Sequence, residues 1–159
     1  MTDRRLFLDC DGVLADFDAG FEERFGMKPR AFEARHGAAS FWHRIRKADP
    51  PFYLMLPLKA DARELYDAVA HLAPTILTGA PIGDWAEPQK RAWAGVHFPD
   101  VPVIVCLARD KRDHCLPGDV LVDDQDKHRG PWEERGGVFI HHTSAAASVP
   151  RILEAFRPR

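Results

Sequence analysis

The stretch Arg5-Leu-Phe-Leu-Asp9-Cys-Asp-Gly-Val-Leu-Ala-Asp16 decides the fold that we predict for this chain. Its first part is a short apolar run that ends at an acid, a pattern typical of a buried β-strand. Asp9 and Asp11 lie two positions apart where this strand gives way to a loop, and Gly12 permits a backbone turn that a Cβ atom would obstruct. The stretch therefore predicts a strand that carries two carboxylates at its end.

Two carboxylates so close together repel each other unless a cation neutralises them or one of them holds a proton. Mg²⁺ prefers oxygen ligands of this kind. One of Asp9 and Asp11 could then attack phosphorus, while the other protonates the leaving oxygen and later deprotonates water. A pair of solvated acids in a turn is the alternative interpretation when this motif is taken alone.

Farther along the chain, strand-like apolar runs alternate with helix-like stretches. The remaining strands are predicted over residues 74–78, 101–107, 119–122 and 137–140. The helices are predicted over residues 61–72, 84–97 and 144–156, the first two opened by the capping boxes Asp61-Ala-Arg-Glu64 and Asp84-Trp-Ala-Glu87. This alternation predicts an α/β fold with a mostly parallel five-stranded sheet and helices on both faces.

One segment interrupts the alternation. Residues 17–57 begin with an amphipathic stretch over 17–25 and continue as a mixture of aromatic, proline and charged residues. We therefore predict a core formed by residues 1–16 and 58–159, with residues 17–57 inserted after the first strand as short helices and loops.

The ends of other predicted strands also carry polar residues. In open parallel sheets ligands bind beyond the carboxyl ends of the strands, so we expect Thr78 and the pair Asp123-Asp124 to meet Asp9 in one cleft. The acidic pair would add metal ligands, while Thr78 and Gly79 offer a hydroxyl and a backbone N–H to a phosphate. Taken alone, the acidic pair could instead cap a helix, and Thr78-Gly79 is a common strand-to-turn signal.

A transferring phosphoryl group also needs a cation, and two lysines are candidates. Lys111 follows the third predicted strand, and Lys90 lies on the helix that follows Thr78. An ammonium is a compact point charge that can neutralise such a group. Either lysine on its own could equally be a solvated surface charge.

The order of these motifs resembles that of the haloacid-dehalogenase-like superfamily, in which phosphatases carry the second aspartate, here Asp11. The resemblance implies a Rossmann-like core, a covalent aspartyl-phosphate on Asp9, and Asp11 as general acid and base. It also implies one Mg²⁺ held by Asp9, the backbone carbonyl of Asp11 and Asp124, with Asp123 beside it.

Within that superfamily the chain is most similar to the 5'(3')-deoxyribonucleotidases. The likeness covers most of the chain and is densest in four segments: Asp9-Cys-Asp-Gly-Val-Leu-Ala-Asp-Phe17, Leu77-Thr-Gly-Ala-Pro81, Ala108-Arg-Asp-Lys111 and Gly118-Asp-Val-Leu-Val-Asp-Asp124. It implies that residues 17–57 form a small helical cap, that Lys111 binds phosphate and that Lys90 is a surface residue of its helix.

The sequence departs from this family at two places. The family has a small hydroxyl residue where this chain has Gly79, so one phosphate contact would come from the backbone alone. Residues 28–51 do not align with the family's base-binding cap, which leaves the specificity for nucleotides open.

The inserted segment is rich in aromatic residues. Phe17 matches a position that contacts the base in the family, and Trp42 and Tyr53 could stack on a nucleobase. Packing between cap and core is the alternative for these residues, and it is the favoured interpretation for Phe41 and Phe52.

Composition narrows the function classes. The chain has 159 residues, of which 45% are hydrophobic and 29% charged, which fits one ordinary globular domain. A net charge of -2 gives no basic field for a nucleic acid polymer, and no apolar stretch reaches the roughly 20 residues that span a membrane. An odd number of cysteines, 3, and the lack of a secretory signal predict a cytoplasmic protein. The oligomeric state is left open.

These observations predict a Mg²⁺-dependent phosphomonoesterase that acts on a small phosphorylated metabolite, with nucleoside monophosphates as the expected substrates. A phosphatase of sugar phosphates or of another small metabolite is the alternative. A non-catalytic binding protein on the same fold is a third hypothesis, but the intact set Asp9, Asp11, Thr78, Lys111 and Asp124 argues against it.

Overall fold

A five-stranded sheet forms the centre of the molecule. The computed structural model describes residues 3–159. The strands are β1 (Leu6–Leu8), β2 (Thr75–Ala80), β3 (Val103–Leu107), β4 (Val120–Asp123) and β5 (Val138–His141). They are ordered β3-β2-β1-β4-β5, and every pairing is parallel. The predicted α/β fold with a mostly parallel five-stranded sheet is thus confirmed.

Strand β1 lies in the middle of the sheet and sets the position of the site. Phe7 is in register with Thr75 of β2 on one side and with Leu121 of β4 on the other. All residues of β1 and β4 are buried because helices cover both faces of the sheet. The chain runs from β1 outward to β3 and then returns to β4 on the other side of β1, and ligands of such sheets bind at this switch point.

Four helices belong to the predicted core segments. They are α4 (Ala62–Val69), α5 (Ala86–His97), α6 (Arg129–Glu133) and α7 (Ala145–Ala155). Short 3-10 turns cover residues 70–72, 108–114 and 126–128. The predicted helices are present with boundaries shifted by a few residues.

The two predicted capping boxes are wrong. The carboxylate of Asp61 accepts a hydrogen bond from the backbone N–H of Ala145, 2.7 Å away, at the start of α7. Helix α5 begins at Ala86, so Asp84 lies two positions before its first residue. The Asp61 carboxylate thus binds the start of α7, which competes with the N–H groups of α4 for it.

Between β1 and α4, the segment predicted to be inserted after the first strand contains three helices. They are α1 (Phe17–Phe25), α2 (Pro29–His36) and α3 (Ala38–Arg46), followed by a 3-10 turn at Tyr53–Met55. Asp16 directly precedes helix α1, and its carboxylate accepts a hydrogen bond from the N–H of Ala19 at 3.0 Å. Acidic Asp16 therefore acts as an N-cap next to the site.

An aromatic cluster holds this segment together. Phe21 is at its centre, with ring centroids 4.7 Å from Phe25, 5.5 Å from Phe32 and 5.2 Å from Phe41. Phe41 and Phe52 are both buried, so the favoured packing interpretation of these two residues is confirmed. Edge-to-face and offset contacts of this kind add to the free energy of burying the rings.

No helix within residues 3–159 is both long and apolar enough to cross a membrane.

Candidate active site

A cleft of about 900 Å³ opens at the carboxyl ends of the strands, between the sheet and the helices that follow β1. Asp9 immediately follows β1, and Asp123 is the last residue of β4. Asp9, Asp11, Lys111 and Asp124 all line the cleft. The structure thus brings together the acids and the lysine that the sequence predicted to meet.

Three carboxylates form a tight acidic cluster. Asp9, Asp123 and Asp124 each offer an oxygen, and these oxygens all lie within 4.8 Å of one another. Gly12 permits this approach, because a Cβ atom at that position would lie 2.2 Å from Oδ2 of Asp124 and its φ is +87°. The glycine predicted from the sequence to allow a turn therefore also makes room for the acid from β4.

Lys111 joins two members of the cluster. Its Nζ donates to Oδ1 of Asp9 at 2.9 Å and to Oδ2 of Asp123 at 2.8 Å, and the residue is 4% exposed. Burial alone would lower the pKa of this ammonium, but the two carboxylates outweigh burial and hold the pKa above its usual range. Lys111 is thus a permanent positive charge at the base of the cleft.

One ammonium does not balance three carboxylates. Burial raises the pKa of Asp9 well above its usual range, and the nearby carboxylates of Asp123 and Asp124 add to the rise. Burial and Asp123 likewise raise the pKa of Asp124 to about 6. Burial also acts on Asp123, but Lys111 outweighs it and lowers the pKa of that carboxyl group. The cluster therefore lacks positive charge.

A hard divalent cation fits this donor set. The cluster offers only oxygen ligands, as Mg²⁺ prefers. In the part of the chain that the structure describes, Oδ1 of Asp124 is buried without a hydrogen-bond partner. A buried carboxylate oxygen without a partner is costly, and a cation at this position would satisfy it.

Addition of Mg²⁺ should therefore raise the melting temperature of the protein relative to a chelator. At a concentration about 100 times Kd, a ligand of the folded state adds about 2.7 kcal/mol to the free energy of unfolding. For a chain of this size that corresponds to roughly 5–10 °C, measured by scanning calorimetry.

Two variants make this measurement specific. Asp124→Asn should lose most of the shift, whereas Asp67→Asn, which changes an exposed acid on α4, should keep it. An equal shift in Asp124→Asn and the wild type would show that Mg²⁺ binds elsewhere.

Asp11 has a different partner. Its Oδ2 accepts a hydrogen bond from Nζ of Lys90 at 2.7 Å, and the same ammonium donates to Oγ1 of Thr78 at 3.1 Å. Asp11 and Asp9 are thus held by two different lysines. The two carboxylates of the first motif can therefore have different chemical tasks.

The expectation that Lys90 is a surface residue of its helix is wrong, because Lys90 is 2% exposed. Helix α5 turns Ala86, Lys90, Trp93 and Ala94 toward the interior. These positions follow the spacing of one helix face, so the pattern around the lysine was the signal that could have identified it. The apolar stem of a lysine packs well on such a face.

Packing as well as chemistry explains why position 79 is a glycine. A Cβ atom at this position would lie 3.0 Å from both Cα and Cβ of Ala108, which follows β3. The close approach of these two strand ends therefore disfavours a residue with a side chain at position 79. Gly79 lines the cleft near the end of β2.

The three candidate aromatic residues differ in their access to the cleft, although all of them line it. Trp42 is 41% exposed. Phe17 is half-buried and packs on Phe52, with ring centroids 5.2 Å apart. Tyr53 is buried, and its ring lies under the ammonium of Lys90, 4.3 Å from Nζ to the ring centroid. Trp42 is thus the most accessible of the three.

Two polar residues of α2 were not identified from the sequence. Arg30 and Glu33 line the same cleft, facing it from the inserted segment. They belong to residues 28–51, and no motif in that segment marks them.

Curated proteins similar to this chain are nucleotidases. The cytosolic-type 5'(3')-deoxyribonucleotidase of Homo sapiens is 32% identical over 156 aligned positions, which cover 81% of this chain and 74% of that protein. The mitochondrial 5'(3')-deoxyribonucleotidase of Mus musculus is 27% identical over 174 aligned positions, 92% of this chain and 78% of that protein. No protein-family model matches the chain.

Solved structures share the fold at low sequence identity. An L-2-haloacid dehalogenase from Xanthobacter autotrophicus superposes with a TM-score of 0.53 at 15% identity and covers 96% of this chain and 83% of its own. A HAD family hydrolase from Deinococcus radiodurans R1, solved with bound phosphate and sodium, has a TM-score of 0.51 at 13% identity, with 93% and 87% covered. These similarities support the architecture of the core.

Proposed function

The chain belongs to the haloacid-dehalogenase-like hydrolases, in the family of the 5'(3')-deoxyribonucleotidases, and we propose that it is a Mg²⁺-dependent phosphatase of nucleoside monophosphates. The observation that carries the proposal is the pairing of Asp9 with Lys111 and of Asp11 with Lys90 in one cleft. Two neighbouring carboxylates with separate cationic partners suit a nucleophile and a proton carrier.

In the first half of the proposed reaction, the carboxylate of Asp9 attacks the phosphorus atom. The bond from phosphorus to the ester oxygen breaks, and that oxygen takes a proton from Asp11. Lys111, the hydroxyl of Thr78 and the backbone N–H of Gly79 stabilise the charge on the transferring group. The products are the free alcohol and an aspartyl-phosphate on Asp9.

In the second half, a water molecule attacks the phosphorus atom of the aspartyl-phosphate. Asp11, now ionised, takes a proton from this water, and the bond between Asp9 and phosphorus breaks. Inorganic phosphate leaves, and both carboxylates return to their starting states. Asp11 thus acts first as an acid and then as a base.

The metal would be held by Asp9 and Asp124, with the backbone carbonyl of Asp11 and with Asp123 beside it. When bound, Mg²⁺ would neutralise the cluster and the charge of the phosphoryl group. This role agrees with the excess of carboxylates over lysines in the cluster.

We further propose that residues 17–57 act as a cap that selects the leaving group. Trp42 carries this part of the proposal, because it is exposed and lines the cleft. An aromatic ring at such a position can stack on any nucleobase. Phe17 would support the base from the side of α1, whereas buried Tyr53 would shape the cleft from below.

A panel of substrates tests the function directly. Phosphate release should be faster from ribo- and deoxyribonucleoside monophosphates than from sugar phosphates, with Mg²⁺ required in each case. In Trp42→Leu, kcat/KM for nucleotides should fall about tenfold, because stacking contributes about 1–3 kcal/mol per base.

The sugar phosphates in the panel serve as the internal control for Trp42→Leu, since their hydrolysis should change little. Faster hydrolysis of sugar phosphates by the wild type would replace the nucleotidase proposal with the alternative of a sugar phosphatase. An absence of turnover on every ester would favour a non-catalytic binding protein.

A further inference from the structure

A single buried ammonium connects three parts of the site. Nζ of Lys90 lies 2.7 Å from Oδ2 of Asp11, 3.1 Å from Oγ1 of Thr78 and 4.3 Å from the centroid of the Tyr53 ring. These partners come from the loop after β1, from β2 and from the inserted segment. Lys90 is therefore held between the catalytic loop and the cap.

The inserted segment also shields this ammonium from water. The ring of Tyr53 covers it, and the backbone N–H of Tyr53 donates to Oε1 of Gln89, the preceding residue of α5, at 3.0 Å. An ion pair that is excluded from water is electrostatically stronger than an exposed one. The lysine end of the ion pair with Asp11 is thus enclosed, whereas the Asp11 side chain is 26% exposed.

This contact leaves the two oxygens of Asp11 in different states. Oδ2 is occupied by Lys90, whereas Oδ1 is buried and has no hydrogen-bond partner among residues 3–159. A carboxylate that is fixed through one oxygen cannot rotate freely. The part of Asp11 that lines the cleft is therefore held in one orientation by Lys90.

We propose that Lys90 is a positioning residue that holds the carboxyl group of Asp11 in the orientation from which it reaches the leaving oxygen of the substrate. This inference rests on the proposed phosphatase function and concerns only its proton transfers. The O–H bond of the Asp11 carboxyl group breaks as the ester bond to phosphorus breaks, and the proton passes to the leaving oxygen. The ammonium of Lys90 keeps its protons and its contact with Oδ2 throughout.

The alternative role for Lys90 is direct binding of the phosphoryl group. The contacts of the ammonium argue against it, because Asp11, Thr78 and the Tyr53 ring already surround Nζ. Lys111 lies at the base of the cleft and already supplies a cation next to Asp9. The positioning role and the phosphate-binding role predict different effects of a Lys90 substitution on esters with different leaving groups.

The leaving group of the substrate separates the two roles. A nucleoside leaves as an alkoxide that needs a proton, whereas 4-nitrophenolate leaves without one. In Lys90→Met, kcat/KM for a nucleoside monophosphate should fall about 10²-fold, the lower end of the contribution of general acid catalysis. The value for 4-nitrophenyl phosphate should change little.

Using kcat/KM confines the comparison to the steps up to departure of the leaving group, because later steps such as hydrolysis of the aspartyl-phosphate do not enter kcat/KM. The ratio of the two values does not depend on the concentration of active enzyme, so a partly unfolded variant still gives an answer. Arg91→Met, which removes an exposed charge from the next position of α5, should leave the ratio unchanged.

An equal loss of kcat/KM on both esters in Lys90→Met would overturn the positioning role and indicate phosphate binding. A loss of the same size in Lys90→Met whether or not Asp11→Asn is also present would overturn it as well, because the lysine would then act independently of Asp11. If the wild type hydrolysed neither ester, the proposed function itself would be refuted.

Discussion

Replacing Asp9 with asparagine should reduce phosphate release by at least about 10³-fold, equivalent to about 4 kcal/mol in the activation barrier. An amide oxygen is a poor nucleophile, so the aspartyl-phosphate would not form. The change keeps the shape of the side chain and its place beside Lys111. Steady-state phosphate release from the preferred ester, with Mg²⁺ in excess, measures the effect.

A second readout identifies the nucleophile itself. Wild-type protein quenched during turnover should carry one phosphoryl group that hydroxylamine removes, as expected for an acyl phosphate, and Asp9→Asn should carry none. Asp67→Asn, an exposed acid on α4, provides the matched control and should behave as wild type. Retention of full activity by Asp9→Asn would sink the covalent mechanism.

The chemistry of the first motif was predictable because it is local. Asp9 and Asp11 follow an apolar run, and the direction of a parallel strand alone determines that both reach the cleft. Asp123 and Asp124 follow another such run, so their meeting with Asp9 required only the rule that strand ends share one edge. The structure adds the distances and the role of Gly12 as a spacer for Asp124.

The family resemblance implies a surface position for Lys90, and only one local signal in the sequence contradicts it. Its charge suggests solvent, and Asp11 lies 79 positions earlier in the chain. Only the spacing of Ala86, Trp93 and Ala94 on the inner face of α5 indicated burial. One charged residue on an otherwise apolar helix face does not identify a buried ion pair until its partner is known.

The inserted segment was predictable in kind but not in detail. Its aromatic content predicted packing, and the cluster around Phe21 has this role. Which aromatic remains accessible depends on the relative placement of α2 and α3, which no short motif encodes. Trp42 next to buried Phe41 illustrates the point, since adjacent residues of one helix face opposite environments.

Replacing Lys111 with methionine should affect stability and activity at once. The change would leave Asp9 and Asp123 buried without the ammonium that now lies 2.9 and 2.8 Å from them. Removal of one partner from a buried ion pair costs about 3–5 kcal/mol, which corresponds to roughly 6–20 °C in melting temperature for a chain of this size. We expect this loss in full when Mg²⁺ is removed by a chelator.

Mg²⁺ should then separate the two roles of Lys111. A divalent cation held by the cluster would replace part of the missing charge, so it should restore much of the melting temperature of Lys111→Met. It should not restore activity, because loss of one preorganised cation at the transferring group costs about 10²–10³-fold in kcat.

Lys47→Met, an exposed lysine at the end of α3, should change the free energy of unfolding by less than about 0.5 kcal/mol. An unchanged melting temperature of Lys111→Met in chelator would show that the buried contact with Asp9 and Asp123 does not stabilise the fold. Recovery of full turnover on addition of Mg²⁺ would instead show that Lys111 balances the charge of the cluster without acting on the phosphoryl group.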